Sequence, residues 1–74
     1  MNNNNNNNGN NYVTRMDEEY WDIMDKIRKA ENWLDCSSNG NEKERILLKN
    51  QLFHMRSYRD ILVERILYAN KKED

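Results

Sequence analysis

The chain has 74 residues, of which twelve are basic and thirteen acidic, a net charge of -1, one cysteine and no proline. That length allows one domain. The balanced charge argues against a binder of DNA or RNA duplexes, whose affinity rests on an excess of Lys and Arg.

No apolar run approaches the roughly 20 residues that a membrane span needs. The lone Cys36 offers no internal staple. With no signal peptide ahead of it, a single thiol predicts a reducing, cytoplasmic setting.

The first eleven residues are nearly all asparagine, with seven in a row from Asn2 to Asn8. A tract with no apolar group to bury predicts a disordered tail over residues 1–11. Tyr12 and Val13 follow as an apolar pair, opening a helical hairpin expected over residues 12–70. Thr14, three residues before Asp17, reads as a helix N-cap, with Asp17, Glu18 and Glu19 on the positive end of the dipole.

Helix 1 is expected over about 16–35. Met16, Tyr20, Ile23, Ile27, Ala30 and Leu34 repeat at alternating four and three, a single heptad seam. Asp22 with Lys26, and Asp25 with Lys29, are acid-before-base pairs on its outer surface. Trp21, Met24 and Trp33 lie off the seam and widen the apolar face.

Residues 36–40, Cys-Ser-Ser-Asn-Gly, read as a turn. Gly40 or Asn39 can take the positive φ that ends a helix. Asn41 can then cap helix 2, with Glu44 completing a capping box. So short a turn makes the helices antiparallel neighbours.

Helix 2 is expected over about 42–70, ahead of a charged tail at 71–74. Its seam is Leu48, Leu52, Met55, Leu62, Ile66 and Ala69, interrupted by Arg59. A second stripe runs through Leu47, Tyr58, Ile61 and Tyr68, with Gln51, His54 and Arg65 between them. One partner helix cannot cover both. Helix 2 also overshoots helix 1 by about two turns, leaving Ile66, Leu67 and Tyr68 uncovered unless Tyr12–Val13 folds back. The fold class is therefore all-α, an antiparallel two-helix hairpin assembled into a helical homo-oligomer, with Leu47, Tyr58, Ile61 and Tyr68 as the interface.

The sequence argues against catalysis. His54 and Cys36 have no second metal ligand at helical spacing, so no metal or other cofactor is expected. Cys36 sits at a helix C-terminus, where the dipole raises a thiol pKa. The acidic cluster of helix 1 is explained by capping and ion pairs, and the isolated glycines build no phosphate loop. No catalytic residue is expected, and the chain reads as a non-enzyme.

Aromatic and basic residues share the first half of the chain: Tyr12, Tyr20, Trp21 and Trp33 with Arg15, Lys26, Arg28 and Lys29. Aromatic faces can stack on a base while a cation binds its phosphate; equally, the aromatics can be packing residues beside a solvated charged face.

The order of features in Tyr12, Glu18-Glu19, Met24 and Ile27-Arg28, then Arg45, Leu47-Leu48, Leu52 and Tyr58, resembles the small phage proteins that act as cyclic-oligonucleotide sponges against CBASS immunity. The spacing from the acidic pair to the Met is one residue longer than in that family, and Arg28 stands where it has Lys. The resemblance implies a compact oligomer, of six hairpins, with cyclic di- or trinucleotides bound between subunits. It further implies that Tyr12 stacks on a base and that Arg28 or Lys26 holds a phosphate, a task suited to the guanidinium fork.

Two functions follow as expectations. One is a non-enzymatic sponge for a cyclic nucleotide, acting by mass action in the cytoplasm of an infected host cell. The other is a helical interaction or oligomerisation module with no small-molecule ligand.

Overall fold

A computed structural model describes the backbone of residues 7–72 and the side chains of residues 12–71. Two helices form an antiparallel hairpin, α1 over Asn7–Asp35 and α2 over Glu42–Lys72. The hairpin is an elongated body of 52 × 24 × 15 Å.

The core follows the heptad seams. Met16, Ile27, Ala30, Leu52 and Leu62 are buried. Ile23, Met24, Leu34, Leu48 and Met55 pack around the central trio of Ile27, Ala30 and Leu52. Arg59, which breaks the seam of α2, lies partly buried against α1. Its Nη1 donates to Met24 Sδ at 3.9 Å, and its Nε reaches Asp60 Oδ1 at 3.0 Å. The guanidinium thus keeps a carboxylate while its stem covers apolar surface, as long cationic side chains do.

The turn is built from several interlocking caps. Gly40 takes φ 68°, and a Cβ there would collide with the Trp33 ring. Asn41 and Glu44 form the expected reciprocal box: Asn41 N donates to Glu44 Oε1, and Glu44 N to Asn41 Oδ1, both at 2.8 Å. The end of α1 is closed by Arg45, whose guanidinium donates to the carbonyls of Leu34 (2.6 Å), Cys36 (3.0 Å) and Asn39 (3.1 Å). Asn39 Nδ2 adds a bond to Trp33 O at 2.9 Å. Carbonyls that a helix end leaves without partners are thereby satisfied.

The start of α1 differs from expectation. It begins at Asn7 rather than Met16, about two and a half turns earlier. Thr14 therefore lies inside the helix and caps nothing, and no acidic residue stands in the first turn. Propagation from a packed helix is consistent with the extension. Once Met16 and the seam behind it are packed, each further residue adds to an existing helix without a new nucleation cost. Of the tail expected to be disordered, residues 7–11 belong to α1, and residues 1–6 lie outside the described residues.

The overshoot of α2 is corrected by the same extension. The helices have 29 and 31 residues, nearly equal lengths. Ile66 is half-buried against α1, where it shares a groove with Asp17 and Tyr20, and Tyr12 faces the end of α2 from within α1. At the other end of the chain, Lys71 and Lys72 continue α2, and residues 73–74 lie outside the described residues.

The two stripes of α2 are treated differently by the fold. One is core. The other stays uncovered: Leu47, Tyr58, Ile61 and Tyr68 are exposed, as are Phe53 and Leu67. Among the described residues, nine large apolar side chains are exposed and five apolar side chains are buried.

Candidate ligand-binding cleft

Extension of α1 brings Tyr12 opposite Arg65, 53 residues along the chain. Arg65 Nη2 donates to the Tyr12 hydroxyl at 3.3 Å, and its guanidinium carbon lies 6.0 Å from the ring centroid. Tyr68 and Ala69 complete a cleft of about 220 Å³. Two phenol rings and a guanidinium face one another there, a set able to stack on a planar base and to bind an anionic oxygen. Among the described residues, no carboxylate pairs with Arg65.

Arg28 and Lys26, the cations expected to hold the phosphate of a ligand bound between subunits, do not lie beside Tyr12 within one chain. Sixteen residues of helix separate Tyr12 from Arg28, about 24 Å of rise. Arg28 forms an ion pair with Asp25, to which Lys29 Nζ also lies at 3.0 Å. The hydrogen bond from Lys29, followed by the charges of Lys29 and Arg28, holds the Asp25 carboxyl below its ordinary value. The aromatic residue beside Arg28 is Trp21, with Met24 and Asp25 lining the same hollow. Lys26 faces away from Arg28 and lines a shallow groove with Lys29, Trp33 and Gln51.

A third groove lies between Trp21 and Leu67. Its only charged wall residue is Asp17, which disfavours an anion there. Tyr20 meets Trp21 edge-on at 4.9 Å, so both rings are engaged in packing on that face.

Sequence reasoning missed Arg65 as a partner of Tyr12. The partnership depends on how far α1 extends and on the tertiary register of the two helices, neither of which spacing within one helix shows. The expected behaviour of Cys36 is also corrected. Its Sγ lies 3.2 Å from Ser38 Oγ, and this hydrogen bond, followed by those from the backbone of Ser38 and Asn39, lowers the thiol pKa.

Among the described residues there is no cluster of His, Cys, Asp and Glu able to hold a metal ion. No helix there is long and apolar enough to cross a membrane. Residues 10–68 match the family model described as Sequestin. No curated protein and no solved structure matches the chain.

Proposed function

The chain belongs to the Sequestin family, and we propose that it sequesters a cyclic oligonucleotide immune signal without converting it. The family name points to sequestration. The observation that supports the ligand class is the Tyr12–Arg65 contact, which puts a stacking surface and a cation in one cleft. In this reading the protein is phage-encoded and blunts CBASS-type defence in the host cytoplasm by lowering the free signal. It works as a homo-oligomer joined through Leu47, Tyr58, Ile61 and Tyr68. In this reading it is not an enzyme, since a protein that only binds the ground state of its ligand leaves that ligand intact.

Tyr12 keeps the role of stacking on a base. The cation beside it is Arg65, and Arg28 and Lys26 can touch the same ligand only from another copy of the chain.

Calorimetry against a panel of cyclic di- and trinucleotides tests the proposal. We expect saturable binding to at least one member and recovery of that ligand chemically unchanged. No heat from any member at micromolar protein would sink the reading, and a hydrolysed product would replace it with an enzyme.

The second reading, an interaction module without a small ligand, draws its support from the exposed stripe of α2. A defined oligomer that ignores the whole nucleotide panel would favour it.

A further inference from the structure

We propose that Met24 is an oxidation site that the hairpin is built to accept, with Arg59 poised to hold the sulfoxide oxygen. The site lies within one chain and is independent of any ligand.

Arg59 occupies a place where the seam of α2 calls for an apolar residue. Its side chain is only 28% exposed, and its nitrogens are served unequally. Nε and Nη2 each lie 3.0 Å from Asp60 Oδ1. Nη1 reaches across to α1, where its acceptor is Met24 Sδ at 3.9 Å. Among the described residues, Nη1 has no other acceptor. A thioether sulfur accepts weakly, so a charged, half-buried donor is left with a poor partner. A polar group in that position calls for an explanation.

Oxidation supplies the missing partner. Hydrogen peroxide is the reactant. A sulfur lone pair attacks one peroxide oxygen and the O–O bond breaks. The departing hydroxide takes up the proton left on the transferred oxygen and leaves as water. Sulfur loses two electrons, the peroxide gains them, and the thioether becomes a sulfoxide.

The new oxygen is a far better acceptor than the sulfur was. A nitrogen-to-sulfur gap of 3.9 Å leaves room for it at roughly the 2.7–2.9 Å of a charge-assisted hydrogen bond. The unbranched, flexible Met side chain can aim it. Asp60 keeps Nε and Nη2, so no existing ion pair is broken.

Access and surroundings single Met24 out. It is half-buried, packs against the trio of Ile27, Ala30 and Leu52, and lines an open hollow of about 350 Å³ with Trp21, Asp25 and Arg28. Met16 is 3% exposed and closed to peroxide unless the helices part. Met55 is half-buried and borders another groove. Among the described residues, no donor reaches the sulfur of Met16 or Met55. An unsupported sulfoxide there makes an apolar contact polar and loosens the core. Beside Arg59, the same oxygen exchanges a weak contact for a strong one.

Urea unfolding of oxidised and reduced protein, at fixed protein concentration, tests the proposal. In a background of Cys36→Ser, Met16→Leu and Met55→Leu, Met24 is the one methionine left to oxidise among the described residues. Leucine for methionine is a mild exchange in a core. The same background with Met24→Leu, treated alike, corrects for oxidation at Met1. Hydrogen peroxide is added until intact mass and peptide fragmentation show the sulfoxide at Met24. We expect the urea midpoint to stay level or rise on oxidation when Arg59 is present. With Arg59→Leu, we expect it to fall. A midpoint that falls as far with Arg59 as without it would overturn the proposal. So would a Met24 that stays reduced in the native protein at a peroxide dose that oxidises it in urea. Should Arg59→Leu fail to fold, Arg59→Ala, equally without a donor, makes the same comparison with the same two outcomes.

Discussion

Arg65 and Tyr12 are joined by a hydroxyl contact of 3.3 Å and a guanidinium-over-ring contact of 6.0 Å. The pair ties the start of the described α1 side chains to the last turns of α2. It makes the same two residues both the clamp on the open end of the hairpin and the floor of the candidate site.

Ligand affinity should therefore respond to geometry as well as charge at position 65. Arg65→Ala is expected to weaken cyclic-oligonucleotide binding by at least tenfold, and Arg65→Lys to restore little of it. A lysine keeps the charge but lacks the planar fork. Tyr12→Phe should bind better than Tyr12→Ala, because the ring face is retained. Arg28→Ala, at a cation already paired with Asp25, should cost less than Arg65→Ala. Calorimetry on the five variants checks the order, and a larger loss at Arg28 would return the phosphate contact to that residue.

The turn makes its own prediction. Gly40→Ala forces a Cβ onto a backbone at φ 68° and into the Trp33 ring. A loss of about 1–3 kcal/mol in folding stability is expected, the range for a strained backbone position. Urea unfolding followed by circular dichroism at fixed protein concentration measures it. A neutral variant would mean that Trp33 swings aside at little cost.

Arg45→Ala removes donors to three carbonyls at once. Hydrogen bonds from charged groups contribute about 1.5–3 kcal/mol each before solvent takes their place, and water can reach this partly open site. A loss of about 2 kcal/mol in the same unfolding assay is the expected outcome. Arg56→Ala, which breaks the exposed 2.6 Å pair with Glu31, should by contrast cost under about 1 kcal/mol.

Cys36 offers a chemical readout of the turn. Hydrogen bonds from Ser38, then from Asn39, favour its thiolate and lower its pKa in the folded chain. Alkylation by iodoacetamide should therefore reach half its maximal rate at a lower pH in the native protein than in urea. Ser38→Ala should shift that midpoint upward. Any stability linked to this group is present above the unfolded pKa and is lost as pH falls through the folded one. Identical profiles for native and unfolded protein would show that the Ser38 contact does not persist in solution.

Assembly should be sensitive to a charge on the outer seam. Ile61→Glu places a carboxylate at an exposed position that makes no contribution to the buried core. The hairpin should remain helical while its mass by light scattering falls toward that of one chain. An unchanged mass would move the interface elsewhere.

Much of the hairpin was legible in the order of residues. The seam from Met16 to Leu34, the seam from Leu48 to Ala69, the positive φ at Gly40 and the Asn41–Glu44 box all follow from spacing and cap chemistry. These are local signals, each contained within a turn or a few turns of helix. The start of α1 was not legible, because asparagine has weak helix propensity and residues 7–11 show no apolar period. The extension continues a helix already nucleated and packed from Met16 onward, which local propensity does not report.

The Tyr12–Arg65 cleft was hidden for the same reason. Its two halves become neighbours only when the length of α1 and the register across the turn are both known. Arg45 was visible as a family feature, but its service to the carbonyls of α1 depends on how the chain leaves Asp35. The uncovered stripe of α2 was fully legible, since periodicity states where apolar residues lie whether or not the fold covers them.

The caps that surround Gly40 also bear on how copies can meet. Two-helix chains can associate by opening and exchanging helices, a swap favoured when the hinge straightens at little cost. Here straightening would strip Arg45 from three carbonyls, break the Asn41–Glu44 box and draw Trp33 away from Gly40. Exchange of helices is thus disfavoured, and in the oligomer proposed above the copies would meet as closed hairpins, able to separate and re-pair without unfolding.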